Sequence, residues 1–188
     1  MNVPQGRWKD ELRQRIVVLG AIVALVWLLE AADLLLWRLP LDRYGIHPRT
    51  WLGLRNILFA PWLHVGFGHL AANTVPFVVL GWFVSLHGMR AFWQVTVTTL
   101  LVSGLAIWLL GAPNTVHLGL SGLVFGYLGY LLVRGFVERS LRAALLALLA
   151  LALYGGMLWG LVSWAPGVSW LGHAFGFLGG AVAARRVK

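Results

Sequence analysis

The sequence predicts an all-α membrane protein built as a bundle of six transmembrane helices. Its 188 residues are 60% hydrophobic and only 11% charged, whereas a soluble domain carries about 25% charged residues. The apolar residues occur in long runs, most of them near the length of about 20 residues that a helix needs to cross a membrane. Lipid offers no partners for backbone N–H and C=O groups, so we expect each run to be a helix.

Six apolar runs provide the predicted helices. The fourth and the sixth have 15 residues each, and at 1.5 Å per residue the fourth is about 22 Å long. One end of that helix is therefore expected to stop below the membrane surface. No tandem repeat is present, so we expect one membrane domain over 1–188, with a transmembrane core at 16–184 and short cytoplasmic tails. The runs are 16–37, 67–86, 91–112, 119–133, 141–163 and 170–184.

The first run follows four basic residues, an arrangement that signal peptides and membrane anchors share. Its apolar part is as long as signal-peptide cores become, and no clear cleavage site of small residues follows, so we expect an anchoring helix. Glu30 and Asp33 interrupt the run, but three leucines and a tryptophan resume it. The basic residues are Arg7, Lys9, Arg13 and Arg15.

The distribution of lysine and arginine predicts the orientation, because cytoplasmic loops carry an excess of these residues. With the N-terminus in the cytoplasm, eleven of the fifteen lie on the cytoplasmic side, and the short outer loops near 113–118 and 164–169 hold none. We therefore expect a multi-pass cell-membrane protein with both termini in the cytoplasm (N-in/C-in). The net charge of +9 is spread between the runs, which disfavours a patch that binds nucleic acid.

Four polar side chains converge on the extracytoplasmic end of this predicted bundle. The second, fourth and sixth helices all run inward from that side, and near their starts lie His69 and Asn73, Ser121, and His173 respectively. His69 and Asn73 are four residues apart and share one helix face, and His64 precedes them in the loop. Polar groups are costly inside a membrane, so their joint placement predicts a functional site at this end.

Glycine stripes accompany two of these helices. Four-residue spacings of glycine let helix backbones approach closely in lipid. If the two stripes face each other, Ser121 and His173 come within hydrogen-bond reach. The stripes are Gly122 and Gly126 in the fourth helix, and Gly172, Gly176 and Gly180 in the sixth.

A serine beside a histidine provides nucleophilic catalysis. The Ser121 hydroxyl is a weak nucleophile that needs a base, and the neutral imidazole of His173 is suited to accept its proton. A carboxylate completes a triad in many hydrolases, but acids are scarce at this end, so a Ser–His dyad is the simpler hypothesis. The acids that remain as alternative third members are Glu30, Asp33 and Asp42.

Acyl transfer also needs hydrogen-bond donors for the oxyanion. The candidates are the side-chain N–H groups of His69 and Asn73 and the backbone N–H of Ser121. All the parts of an acyl-transfer site therefore have a candidate at one end of the bundle.

Other interpretations compete with catalysis. A serine between glycines often serves helix packing alone, and a lone asparagine often joins two helices. A metal site formed by four histidines lacks an HExxH pattern and a nearby acid on the same helix, and no cysteine is present, so we expect neither a metal nor another cofactor. A transporter is disfavoured because the polar residues cluster at one end and no inverted repeat is visible. The four histidines are His64, His69, His117 and His173.

The pattern resembles the rhomboid intramembrane serine proteases. Three motifs carry the resemblance in the family's order: HVGFGHLAAN at 64–73, GLSG at 119–122 and GHAFGFLGG at 172–180. The resemblance implies a serine endopeptidase that cleaves transmembrane protein substrates within or beside their membrane segments, with no cofactor. It implies Ser121 as nucleophile, His173 as general base, and His69 and Asn73 in the oxyanion hole. It also implies supporting roles for His64, Gly119, Gly122, Phe125 and Gly176.

Two positions depart from the family's pattern. Phe125 stands where many members have a tyrosine that stacks on the catalytic histidine, so we expect stacking without a hydroxyl. Leu54-Arg55 replaces a Trp-Arg pair in the first outer loop, which leaves the anchoring of that loop open. Both proposed dyad residues are present, so a catalytically inactive relative that binds membrane helices is the second interpretation. The sequence does not define an oligomeric state.

Overall fold

The computed structural model describes residues 7–35, 40–162 and 167–187, and most of these residues are helical. Seven α-helices lie in these ranges: α1 (Arg7–Leu35), α2 (Trp51–Asn56), α3 (Gly66–Ser85), α4 (Met89–Leu110), α5 (Ser121–Val137), α6 (Leu141–Tyr154) and α7 (Trp170–Arg186). Short 3-10 helices occupy Leu41–Tyr44, Ala60–Trp62 and Gly155–Leu161.

Four of these segments are long and apolar enough to cross a membrane: α1, α3, α4 and α6 together with the 3-10 helix that continues it. α5 is apolar but has only 17 residues. At 1.5 Å per residue it is about 26 Å long, less than the hydrocarbon core of about 30 Å. The short fourth helix predicted from the sequence is therefore present.

α5 is the centre of the bundle and packs against α3, α4, α6 and α7. Every residue from Leu123 to Leu131 is buried. In contrast, α1 and α6 expose most of their apolar side chains on the outside of the bundle. An apolar exterior suits helices that face lipid.

Glycines bring α5 and α7 into backbone contact. A Cβ added at Gly176 would overlap the carbonyl oxygen of Gly122, and one added at Gly180 would overlap that of Gly126. The two stripes predicted from the sequence therefore face each other. α4 joins this contact, because a Cβ at Gly126 would overlap the side chain of Thr99.

The loop before α3 contains α2, which the sequence did not predict. Thr50 caps this helix by accepting a hydrogen bond from the backbone N–H of Gly53 (2.9 Å). The buried amide of Asn56 donates to the carbonyl oxygens of Gly45 (2.9 Å) and Arg43 (3.3 Å), and the Arg55 guanidinium donates to the Asn56 side-chain oxygen. Arg55 and Asn56 thus anchor the loop despite the missing tryptophan.

The other end of the bundle is held by Arg134 at the end of α5. Its guanidinium donates to the carbonyl oxygens of Ala184 (3.2 Å) and Val187 (2.6 Å) at the end of α7. It also pairs with Glu138 at 2.6 Å. α5 and α7 are therefore joined at this end by hydrogen bonds from the Arg134 guanidinium, and along their length by glycine packing.

Candidate active site

Ser121 is the first residue of α5. The two residues before it are held by hydrogen bonds from their backbone N–H groups. The Gly119 N–H donates to the carbonyl oxygen of Ala60 (2.9 Å), and the Leu120 N–H donates to Nε2 of His64 (3.3 Å). Gly119 has a φ of +114°, and a Cβ there would lie 2.9 Å from Cε1 of His69. Only glycine combines this left-handed backbone with so close an approach.

His64 supports this turn as a neutral ring. Its side chain is 2% exposed, and its Nε2 must carry a lone pair because it accepts the Leu120 N–H. Burial, with a smaller effect from His69, lowers the pKa of His64 to about 4. The ring stands edge-on to that of His69, with centroids 5.2 Å apart.

His69 and Asn73 lie one turn apart on α3, on the side that faces the turn before Ser121. The Asn73 amide donates to the carbonyl oxygen of His69 (3.0 Å), which uses one of its two N–H bonds. Asn73 is buried, whereas His69 is partly exposed. The second amide N–H of Asn73 and the imidazole of His69 remain available as donors.

His173 lies in the first turn of α7, and its tautomer follows from its hydrogen bond. Its Nδ1 lies 3.1 Å from the carbonyl oxygen of Gly160. A carbonyl only accepts, so Nδ1 carries the proton and Nε2 of the neutral ring carries a lone pair. Phe125 stacks on the ring with centroids 4.2 Å apart and planes inclined by 14°.

The packing of α5 on α7 brings Ser121 and His173 to the same end of adjacent helices. The backbone of Gly122, next to Ser121, contacts α7 at Gly172 and Gly176, on either side of His173. Among the described residues, no hydrogen bond joins Ser121 to His173.

In the described part of the chain, none of the three acids considered as triad members forms a hydrogen bond with His173. The Asp33 carboxylate accepts a hydrogen bond from the backbone N–H of Leu41 (2.7 Å). Burial raises the pKa of Asp42. The carbonyl of Gly160 takes the place beside His173 that a carboxylate occupies in a triad. This arrangement favours the dyad over the triad.

The four histidines of the metal hypothesis do not form one cluster. His117 bonds to Ser169 and Thr115, whereas His64 and His69 contact each other. Within 7–35, 40–162 and 167–187, no group of three or more His, Asp or Glu side chains is close enough to hold a metal ion.

Sequence reasoning missed two members of this region, Gly160 and Ser169. Gly160 acts through its carbonyl, which no side-chain pattern marks. Ser169 caps α7 by accepting a hydrogen bond from the Gly172 N–H (3.4 Å). A serine just before the apolar run of α7 is a usual N-cap signal, so Ser169 was predictable as a cap but not as a partner of His117.

The helices and the polar cluster define a multi-pass helical membrane protein with a buried hydrophilic site. The profile of the Rhomboid domain matches residues 52–187. The chain is also similar to an uncharacterized protein of Mycobacterium tuberculosis H37Rv and to one of Mycobacterium bovis, each 40% identical over 184 residues that cover 92% of this chain and 76% of the relative. An uncharacterized protein of Mycobacterium leprae is 40% identical over 192 residues, covering 96% and 75% respectively.

The chain belongs to the rhomboid family. The matched region runs from the second residue of α2 to the end of α7 and contains Ser121, His173, His69 and Asn73, whereas α1 precedes it. Membrane embedding follows from the family and from the apolar helices together.

Proposed function

We propose that this protein is an intramembrane serine endopeptidase that cleaves peptide bonds within or beside the transmembrane segments of other membrane proteins. The observation that carries the proposal is the His173 ring. Its Nδ1–H is held by the Gly160 carbonyl and its face by Phe125, which leaves Nε2 with a free lone pair at the end of the bundle that holds Ser121.

In the proposed mechanism the Ser121 oxygen attacks the scissile carbonyl carbon while its proton passes to Nε2 of His173. This step requires the Ser121 hydroxyl to come within hydrogen-bond reach of that nitrogen. The C–N bond then breaks, the imidazolium returns the proton to the leaving amine, and an acyl-enzyme remains. Water deprotonated by His173 hydrolyses this ester and regenerates the serine.

The oxyanion is proposed to accept hydrogen bonds from the side chains of His69 and Asn73 and from the backbone N–H of Ser121. The latter is free for this role because it opens α5, where the first N–H groups have no partner in the helix. His64 and Gly119 hold the turn that presents it.

The proposed orientation places both termini in the cytoplasm, since most lysines and arginines then lie on that side. The start of α5 and the start of α7 would then open toward the extracytoplasmic side. Substrate is proposed to unwind locally, because the amides of an intact helix are shielded from attack.

A second candidate function, binding of membrane helices without cleavage, is favoured by the missing hydrogen bond between Ser121 and His173. The two are separated by a cleavage assay in liposomes with a panel of transmembrane reporters. We expect wild-type protein to cut at least one reporter and Ser121→Ala to cut none. Reporters that are bound equally by both proteins and cut by neither would establish the binding function instead.

A further inference from the structure

A second serine–histidine contact lies beside the candidate site and is not used by the proposed mechanism. Nδ1 of His117 is 2.8 Å from Oγ of Ser169. His117 is four residues before Ser121, and Ser169 is four residues before His173. The contact therefore connects the loop that leads to the proposed nucleophile with the N-cap of the helix that carries the proposed base.

The direction of each hydrogen bond in this contact follows from its neighbours. The Thr115 hydroxyl donates its only proton to the carbonyl oxygen of Ala112 (2.7 Å), so it accepts from Nε2–H of His117 (2.9 Å). With the ring proton on Nε2, Nδ1 accepts from the Ser169 hydroxyl. Ser169 in turn accepts from the Gly172 N–H (3.4 Å).

The backbone of His117 is also fixed. It exchanges two hydrogen bonds with Ile46, one from the Ile46 N–H (2.7 Å) and one to its carbonyl oxygen (3.1 Å). Burial lowers the pKa of His117, which maintains the neutral ring that the hydrogen bonds require. The His117 ring therefore has a fixed position, and its hydrogen bond to Ser169 fixes the Ser169 side chain as well.

The other contacts described above for the site act at different places. Glycine packing sets the separation of α5 and α7 along their lengths, and Phe125 and Gly160 orient the His173 ring within its helix. None of these contacts joins the loop before Ser121 to the start of α7.

A small cavity of about 30 Å³ is lined by His117, Ser169 and Ser121, among other residues. It has room for one or two water molecules. Water can therefore replace the serine–histidine contact if it is lost.

We infer that His117 and Ser169 are positioning residues, whose hydrogen bond sets the approach of Ser121 to His173. This inference rests on the proposed peptidase function. Small displacements of reacting groups cost large factors in rate, so loss of the bond should lower kcat with little change in KM.

The test compares three substitutions of Ser169 in the full-length protein, using a transmembrane reporter in detergent or liposomes. Ser169→Ala removes both the cap and the tie to His117, and Ser169→Gly removes the tie but remains an acceptable N-cap. Both should lower kcat by about ten- to a hundredfold, whereas Ser169→Thr, which keeps the hydroxyl, should restore it. Wild-type kcat in the glycine variant would overturn the inference.

Ser140→Ala is the matched control. Ser140 caps α6 in the same way, by accepting a hydrogen bond from the Ala143 N–H (3.1 Å), on a helix that carries none of the proposed catalytic groups. Its loss should lower the thermal midpoint much as Ser169→Ala does and leave kcat unchanged. An equal fall of kcat in both alanine variants would show general destabilisation and overturn the positioning role.

A second readout needs no activity. In ¹⁵N-histidine spectra, His117 should appear as the Nε2-protonated tautomer, and its Nδ1 signal should move in Ser169→Gly; His117→Gln identifies the resonance. A proton on Nδ1 of His117 would overturn the proposed hydrogen bond from Ser169 to His117.

The cleavage assay separates failure of the proposed function from failure of this inference. If wild-type protein cleaves no reporter, both the proposed function and the positioning role of His117 and Ser169 fail. If wild-type protein cleaves and Ser169→Gly cleaves equally well, the positioning role alone fails.

Discussion

The ring of Phe125 lies flat on the imidazole of His173, with centroids 4.2 Å apart. Phe125 is one turn after Ser121 on α5, so the same helix supplies the proposed nucleophile and the surface that holds the proposed base. Gly160 lies at the edges of both rings, since a Cβ there would lie 2.8 Å from the tip of the Phe125 ring and 3.4 Å from Nδ1 of His173. The imidazole is thus held by a ring face and a backbone carbonyl.

Phe125→Leu keeps an apolar side chain but removes the stacking face. We expect reporter cleavage to fall about tenfold, because His173 then occupies several orientations. Phe77→Leu is the matched control: Phe77 is also buried and packs on the ring of Tyr127, away from the site. Both variants should lose a similar amount of stability, and only the first should lose turnover. Equal cleavage by the two proteins would remove the orienting role from Phe125.

Asn73→Ala tests the oxyanion hole. Loss of one donor should slow turnover by about ten- to a thousandfold, with reporter binding nearly unchanged. Thr74→Val, one residue further along α3, removes a hydroxyl that donates to the carbonyl oxygen of Leu70 and should have a much smaller effect. Turnover that is unaffected in Asn73→Ala would exclude Asn73 from oxyanion stabilisation.

Gly176→Ala tests the contact between α5 and α7. The added methyl overlaps the carbonyl oxygen of Gly122, so the helices must separate, at a cost of about 1–3 kcal/mol in stability. Cleavage should fall with it, because Ser121 and His173 move apart. Gly20→Ala is the control, since nothing lies within 4 Å of a Cβ there. A thermal midpoint for Gly176→Ala at or above that of Gly20→Ala would contradict this packing.

The buried His64 predicts a loss of stability in acid. Its pKa falls from 6.5 to about 4 on folding, so the unfolded chain binds a proton more readily. The free energy of unfolding is therefore unaffected by His64 above pH 6.5. It falls as the pH drops from 6.5 toward 4, by up to about 3 kcal/mol.

Thermal unfolding in detergent across this pH range measures the effect. His64→Gln keeps an acceptor for the Leu120 N–H but does not titrate, so its stability should fall less in acid than that of wild type. His47→Gln provides a control at a histidine that bonds to the carbonyl oxygen of Arg43 in the loop before α2. Identical pH profiles for wild type and His64→Gln would contradict the buried neutral ring.

Helix positions were largely predictable because long apolar runs define them. α3 and α4 begin within two residues of the predicted positions, and α7 at the predicted one, Trp170. α1 begins earlier than the apolar run, at Arg7, because ion pairs from Glu11 to Arg7 and Arg15 extend it with polar residues. The end predicted for this run, 36–37, lies outside the described residues.

Two departures have local causes. The α-helix of the fifth run ends at Tyr154 and continues as a 3-10 helix to Leu161. Gly155 and Gly156 follow Tyr154, and each glycine disfavours an α-helix by about 1 kcal/mol. α2 was missed because six residues are too few to show a periodicity, although Thr50 marks its start.

The candidate site was predictable only in part. Helix direction and glycine spacing placed Ser121, His173, His69 and Asn73 at one end, as the structure does. The hydrogen bonds from His173 to the Gly160 carbonyl and from Ser169 to His117 are tertiary contacts between separate segments of the chain. A single sequence carries no signal for such contacts.

The most direct test of the account is the labelling of the purified protein in detergent with a fluorophosphonate, which reacts with activated serines. We expect wild-type protein to be labelled at Ser121, and both Ser121→Ala and His173→Ala to lose the label. Folded wild-type protein that remains unlabelled, or a label that persists in Ser121→Ala, would contradict it.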